Sequence, residues 1–208
     1  MKIISHRGFW LIDEEKNTKP AFVRSFSLGY GTETDIRDYK SNLVVSHDIA
    51  DENSIRFIDL LEMASRCDNT LTLALNVKAD GLAKHISELI KNYPALDCFV
   101  FDMSVPDTRS YFDEGVPVFT RMSEVEKEPV WLDKACGVWL DAFESEWYTT
   151  EDIKAVLAQG KRICVVSSEL HKRDKSNLWN NLLSLRHEKN LILCTDLPED
   201  AQEFFFKK

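Results

Sequence analysis

Four short stretches within the first 78 residues carry side chains able to do polar chemistry: His6-Arg7-Gly8, Glu33-Thr34-Asp35, His47-Asp48 and Asn76-Val77-Lys78. Each lies in, or just after, a short apolar β-rich run. Glu33 and Asp35 are two residues apart, so in an extended chain both point to the same face. If that face is interior, two converging carboxylates are costly without compensation, and a hard divalent cation with oxygen ligands removes the cost. Asn76 and Lys78 share a face for the same reason. Histidine titrates near neutrality and suits proton transfer. Trp10 sits in the loop after the first strand, a good place for a substrate wall. Bland alternatives stand beside these readings. Glu33 could pair with Arg37, and Asp35 with Lys78, as interior salt bridges, and a lone His after a strand is commonly a turn residue. What favours chemistry is that two His, two carboxylates, an Arg and a Lys gather at the same end of three consecutive strands.

The elements that must position them recur along the whole chain. β-rich runs are expected at Lys2–Ser5, Gly31–Arg37, Leu71–Val77, Cys98–Met103, Val116–Thr120, Gly137–Asp141, Arg162–Ser167 and Leu191–Thr195, with a further short strand at Leu43–Ser46. Several are near-continuous apolar segments, as in a parallel sheet covered on its outer side. Helical periodicity marks Phe57–Arg66, Leu82–Asn92, Thr150–Gln159, Asn177–His187 and Glu199–Phe206, and more weakly Pro106–Glu114 and Glu124–Lys134. Thr149 reads as an N-cap, and Gly160 as the stop of the helix that Thr149 begins. Eight β/α units predict an α/β protein of the (β/α)8 TIM-barrel class, with residues 1–208 as one domain and short loops, since such barrels typically take about 250 residues. An open doubly wound sheet would bring a Gly-rich loop after the first strand, where only Gly8 stands.

Composition narrows the partners. The chain has 208 residues, is 44% hydrophobic and carries a net charge of −9, which suits one buried core and disfavours a nucleic-acid ligand. Five cysteines without a CxxC pair, four of them in apolar runs, read as free thiols of a reducing compartment. The amino terminus, Met1-Lys2-Ile3-Ile4-Ser5-His6, reads as a strand rather than a signal peptide. No apolar run is long enough to span a bilayer. The expectation is a cytoplasmic protein without stable membrane insertion. His85, His171 and His187 read as solvated, and Phe204-Phe205-Phe206 as the buried face of the last helix.

Ile4–Gly8, Asn17-Thr18 with Ala21-Phe22, Gly31–Arg37 (GTETDIR), Val44–Asp48 (VVSHD) and Thr195–Pro198 resemble, in order and spacing, the motifs of the glycerophosphodiester phosphodiesterase family. The likeness is strong over about the first fifty residues, weak in the middle, and returns near the end. It implies a phospholipase-C-like phosphodiesterase barrel that cleaves a small phosphodiester. His6 and His47 would be general acid and base, Glu33 and Asp35 ligands of one divalent cation (Mg²⁺ or Ca²⁺), and Arg7 and Lys78 the phosphate holders. The family's third strand ends Glu-x-Lys with that Glu on the metal. Here Asn76 stands in its place, able to ligate through its amide oxygen but bringing no charge; Asp102 or Asp141 could substitute for the lost carboxylate. The small domain the family often inserts before the third strand is reduced here to Ile49–Thr70. Two other outcomes stay open: lyase-type cleavage to a cyclic phosphate, served by the same His pair, and a barrel that binds phosphodiesters without cleaving them.

Overall fold

The computed structural model describes residues 1–207, which fall into two compact units. The first is Ser5–Val118, and the second joins Met1–Ile4 to the chain from Phe119 onward. Strand β1 (Lys2–His6) spans the boundary.

In the first unit, α1 (Lys19–Ser27) leads to β2 (Gly31–Tyr39), β3 (Asn42–Val45) and the two-residue β4 (Ile55–Arg56). Then come α2 (Phe57–Ser65), β5 (Thr72–Val77), α3 (Ala83–Ile90), β6 (Asp97–Phe101) and α4 (Val105–Asp113). Helix α1 was not marked by periodicity. Pro20 opens its first turn, and Phe22 stacks on Phe26 with ring centroids 6.1 Å apart. Strands β2, β5 and β6 run parallel, with Asp35 opposite Asn76 and Asn76 opposite Phe101. β3 turns back antiparallel on β2, and β4 on β3. The core lies between this sheet and its helices: Ile36, Leu73, Leu75, Val77 and Val100 pack with Phe22, Phe57, Leu61 and Ile86. Strand alternation then sends Glu33, Asp35 and Asn76 to the opposite face of the sheet.

In the second unit, β7 (Phe119–Met122), β8 (Gly137–Leu140), β9 (Arg162–Val166) and β10 (Leu191–Thr195) pair in parallel in that order. They are accompanied by α5 (Thr150–Ala158), α6 (Ser176–Leu182) and α7 (Pro198–Phe206). Thr149 caps α5 in a reciprocal box with Asp152.

Several expectations are corrected. The fifth strand begins three residues later than its apolar run. The helix expected at Glu124–Lys134 is absent: the chain makes turns there, closed by a bridge between Ser123 and Glu126. Pro129 interrupts the segment, and its apolar residues Val125 and Val130 are exposed, so no face is available to bury a helix. The segment expected as one helix from Asn177 to His187 divides into α6 and a 3-10 turn at Leu183–Leu185. Of the three terminal phenylalanines only Phe205 is buried.

Candidate active site

The end of β1 is built as a left-handed turn. Arg7 and Gly8 have φ of 57° and 84°. The Arg7 N–H donates to the Glu33 carbonyl at 2.9 Å, and the Phe9 N–H to the Ala21 carbonyl at 3.0 Å, so the turn is fastened to β2 on one side and to α1 on the other. The Gly8 N–H donates to Thr32 Oγ1. A Cβ on Gly8 would stand 2.7 Å from Ala21 Cβ and 2.9 Å from its carbonyl carbon. Gly8→Ala therefore combines a left-handed backbone with a steric clash. It is expected to lower stability by about 2–4 kcal/mol, read as a fall in the urea midpoint. An unchanged midpoint would show that α1 does not press on this turn.

Asp35, fully buried, is the hub of the site. Its carboxylate lies 3.0 Å from Arg7 Nε and 3.1 Å from Lys78 Nζ, and accepts a hydrogen bond from Asn17 Nδ2 at 2.7 Å. Burial alone would raise the Asp35 carboxyl, but Arg7, Lys78 and Asn17 outweigh it and hold it below the ordinary aspartate range. Asn17 itself sits in a left-handed conformation (φ 59°) and takes its other hydrogen bond from Thr34 Oγ1 at 2.8 Å. The interior pairing of Asp35 with Lys78 that the sequence left open is thus present, with Arg7 added. The pairing of Glu33 with Arg37 is not made: Arg37 donates to the Lys78 carbonyl.

Glu33 is almost as deeply buried, but among the described residues no Lys or Arg pairs with it. Burial, then the nearby Asp35, push its carboxyl well above the ordinary glutamate range. Its Oε2 has no hydrogen-bond partner among the described residues and lies 3.9 Å from His6 Nε2. Asn76 Nδ2 donates to Asp102 Oδ2 at 3.1 Å, while the buried Asn76 Oδ1 has no hydrogen-bond partner among the described residues. His47 lies just past the end of β3, one residue beyond the Ser46 N–H that donates to the Asp35 carbonyl. Its imidazole is about half exposed and, among the described residues, pairs only with Asp48, at 2.9 Å. Trp10 is half-buried; its indole N–H donates to the His6 carbonyl at 3.1 Å, and Lys16 Nζ stands 4.3 Å from the ring centroid.

The structure therefore brings His6, Arg7, Glu33, Asp35, Asn76 and Lys78 into one connected set, and holds Trp10 by the backbone of His6. Among the described residues no hydrogen bond or ion pair joins the His47 side chain to that set. Asn17 and Asp102 join it although no role had been assigned to Asn17, whose signal was the Asn-Thr motif alone. In the second unit His171 is not solvated as expected: its Nε2 lies 2.7 Å from Asp141 Oδ1.

Oxygen donors suit a hard cation. Among the described residues no three His, Cys, Asp or Glu side chains form a metal cage, and the donors that converge are two carboxylates and an amide. Three of their buried oxygens, Glu33 Oε2, Asp35 Oδ1 and Asn76 Oδ1, lack a hydrogen-bond partner among the described residues, although Asp35 Oδ1 has Lys78 Nζ at 3.1 Å. Buried acceptors are normally satisfied, so the donor set fits a cation. A divalent cation beside Glu33 would favour the charged form of its carboxyl, which burial and Asp35 now oppose.

The fold has close parallels among solved structures. A phosphodiesterase from Oleispira antarctica, solved with sn-glycerol-3-phosphate as product, superposes with a TM-score of 0.71 at 13% identity, over 98% of this chain and 96% of the other. A glycerophosphodiester phosphodiesterase from Agrobacterium tumefaciens gives 0.67 at 16% identity, over 99% and 98%. The chain has the fold of the glycerophosphodiester phosphodiesterases. That fold is a TIM barrel, as the β/α alternation implies. A β-1,4-mannanase also superposes, with a TM-score of 0.56 at 10% identity, over 94% of this chain and 89% of the other; the architecture thus serves more than one chemistry, and the site must decide the reaction. By sequence, no family model and no curated protein matches the chain.

Proposed function

We propose that the chain is a metal-dependent phosphodiesterase acting on a small glycerophosphodiester-like substrate, with His6 and His47 as general acid and base. The observation that carries this reading is the convergence of Arg7, just past β1, and Lys78, just past β5, on Asp35 of β2, with the buried carboxylate of Glu33 on the same strand face. The glycerol-3-phosphate held by the Oleispira enzyme supports the substrate class. Arg7 and Lys78, aligned by Asp35, meet the anionic phosphoryl group. One histidine takes the proton of the attacking water as the new P–O bond forms. The other protonates the departing oxygen as the old bond breaks, leaving a phosphomonoester and an alcohol. A bound Mg²⁺ or Ca²⁺, held by Glu33, Asp35 and Asn76, supplies further neutralisation of phosphoryl charge. Trp10, fixed over the backbone of His6, forms one wall for the substrate.

The same reading takes residues 1–208 as one domain and the protein as cytoplasmic, with no nucleic-acid partner. Its support is the net charge of −9 and the absence, among the described residues, of any helix long and apolar enough to cross a membrane. Exhaustive EDTA treatment is expected to abolish glycerophosphodiester cleavage, and added Mg²⁺, Ca²⁺ or Mn²⁺ to restore it. Full activity after chelation would rule the mechanism out. Phosphorus NMR of the products separates hydrolysis, which yields a monoester, from attack by a substrate hydroxyl, which yields a cyclic ester.

A further inference from the structure

We infer that Asp102 is the positioning residue that makes Asn76 a cation ligand, holding just past β6, one hydrogen bond away, the negative charge that the end of β5 lacks. This rests on the metal-dependent reading above.

The geometry orients the amide. A carboxylate only accepts hydrogen bonds, so the group that Asn76 presents to Asp102, at 3.1 Å, is its NH₂. Its oxygen must then face the other way. That oxygen is buried and has no hydrogen-bond partner among the described residues, although nearly every buried acceptor in a folded protein finds one. Asp102 is placed for this task by its backbone. Phe101, the last residue of β6, stands opposite Asn76 in the parallel register. Asp102 follows with φ of 65°, a left-handed conformation open to Asp and Asn but resisted by most residues. The strand alternation stops there, and the carboxylate reaches the neighbouring strand.

Outer carboxylates that accept a hydrogen bond from a metal ligand fix its orientation and raise its donor strength. A neutral amide oxygen gains from the same pull, because an anion at its N–H end shifts electron density toward oxygen. The carboxylate charge thus acts through Asn76 instead of touching the cation.

Calorimetric titration of Mn²⁺ into EDTA-stripped protein tests this, with melting temperatures in EDTA recorded alongside. Asp102→Asn removes the charge while keeping an acceptor for the Asn76 NH₂ and tolerating the left-handed backbone. Its Mn²⁺ affinity is expected to fall by about 10-fold or more. Combining it with Asn76→Asp exchanges the two groups isosterically. Charge then sits on β5, with the amide at 102 donating to it, and Mn²⁺ affinity is expected to return to that of the unaltered protein or exceed it. Should Asp102→Asn fail to fold, Asn76→Ala removes the ligating oxygen directly and is expected to weaken Mn²⁺ by at least as much. Wild-type affinity in either single variant, with the unaltered protein binding Mn²⁺, overturns the role of Asp102 and leaves the metal-dependent reading standing. A double variant that melts normally but does not recover affinity overturns it as well. If the unaltered protein takes up no Mn²⁺, Mg²⁺ or Ca²⁺ at millimolar concentration, the metal-dependent reading falls and this inference falls with it.

Discussion

Turnover of a glycerophosphodiester is expected to drop by about 10²-fold or more on replacement of His6 by alanine, and by a similar factor for His47, the usual size of a general acid–base contribution. The two histidines reach this outcome from different settings. His6 ends β1, with its backbone carbonyl tied to Trp10 and its imidazole 3.9 Å from Glu33. His47 is on a more open segment, with only Asp48 as a partner among the described residues, so its removal should leave folding untouched. Leaving-group dependence separates the acid from the base. An activated alcohol departs without a proton, so on a p-nitrophenyl diester the variant lacking the acid should recover most of its rate, while the variant lacking the base should not. Near-normal turnover of either variant on a poor leaving group would remove the paired acid–base mechanism.

Asp35→Asn is expected to cost as much stability as Gly8→Ala. Arg7 and Lys78 both rely on this carboxylate, at 3.0 Å and 3.1 Å, and the amide would leave two cations side by side without the one carboxylate that both contact. Breaking a buried ion pair from one side costs about 3–5 kcal/mol. Here each cation keeps about a fifth of its side chain in solvent, 22% and 21%, which softens the penalty to about 2–4 kcal/mol. Urea denaturation at neutral pH measures it. Because the folded state holds the Asp35 carboxyl below its ordinary value, this stabilisation is complete above the unfolded aspartate range and is lost as the pH falls through the depressed folded value. The gap between the two proteins should therefore narrow in acid. A variant as stable as the parent at neutral pH would mean that the three charges do not meet in solution.

Much of this arrangement is legible in the linear chain because it follows from rules of short range. A period of two puts Glu33 with Asp35, and Asn76 with the position of Lys78, wherever those segments are extended. Continuous apolar runs mark parallel strands, and Thr149 with Asp152 announces the start of a helix. Gly8 is explicable only in part: its positive φ is a local demand, whereas the approach of Ala21 is made by a helix whose own pattern was too weak to mark. The charged, Pro-interrupted stretch after β7 shows the opposite failure, since scattered apolar residues imitate a helical face that has nothing to pack against.

The chain by itself determined which residues are available and on which face of each strand they stand. The tertiary structure decided who meets whom. Lys78 reaches Asp35 across 43 positions because β5 lies beside β2 in a register that sets Asp35 against Asn76, and no local rule specifies a register between distant strands. Asn17 and Asp102 enter through single left-handed residues at 59° and 65°, conformations without a period to reveal them. The division between the two carboxylates also arises only on folding. Both are buried, yet Arg7 and Lys78 converge on Asp35 and neither pairs with Glu33, because an ion pair depends on separations of a few ångströms that sequence spacing does not contain.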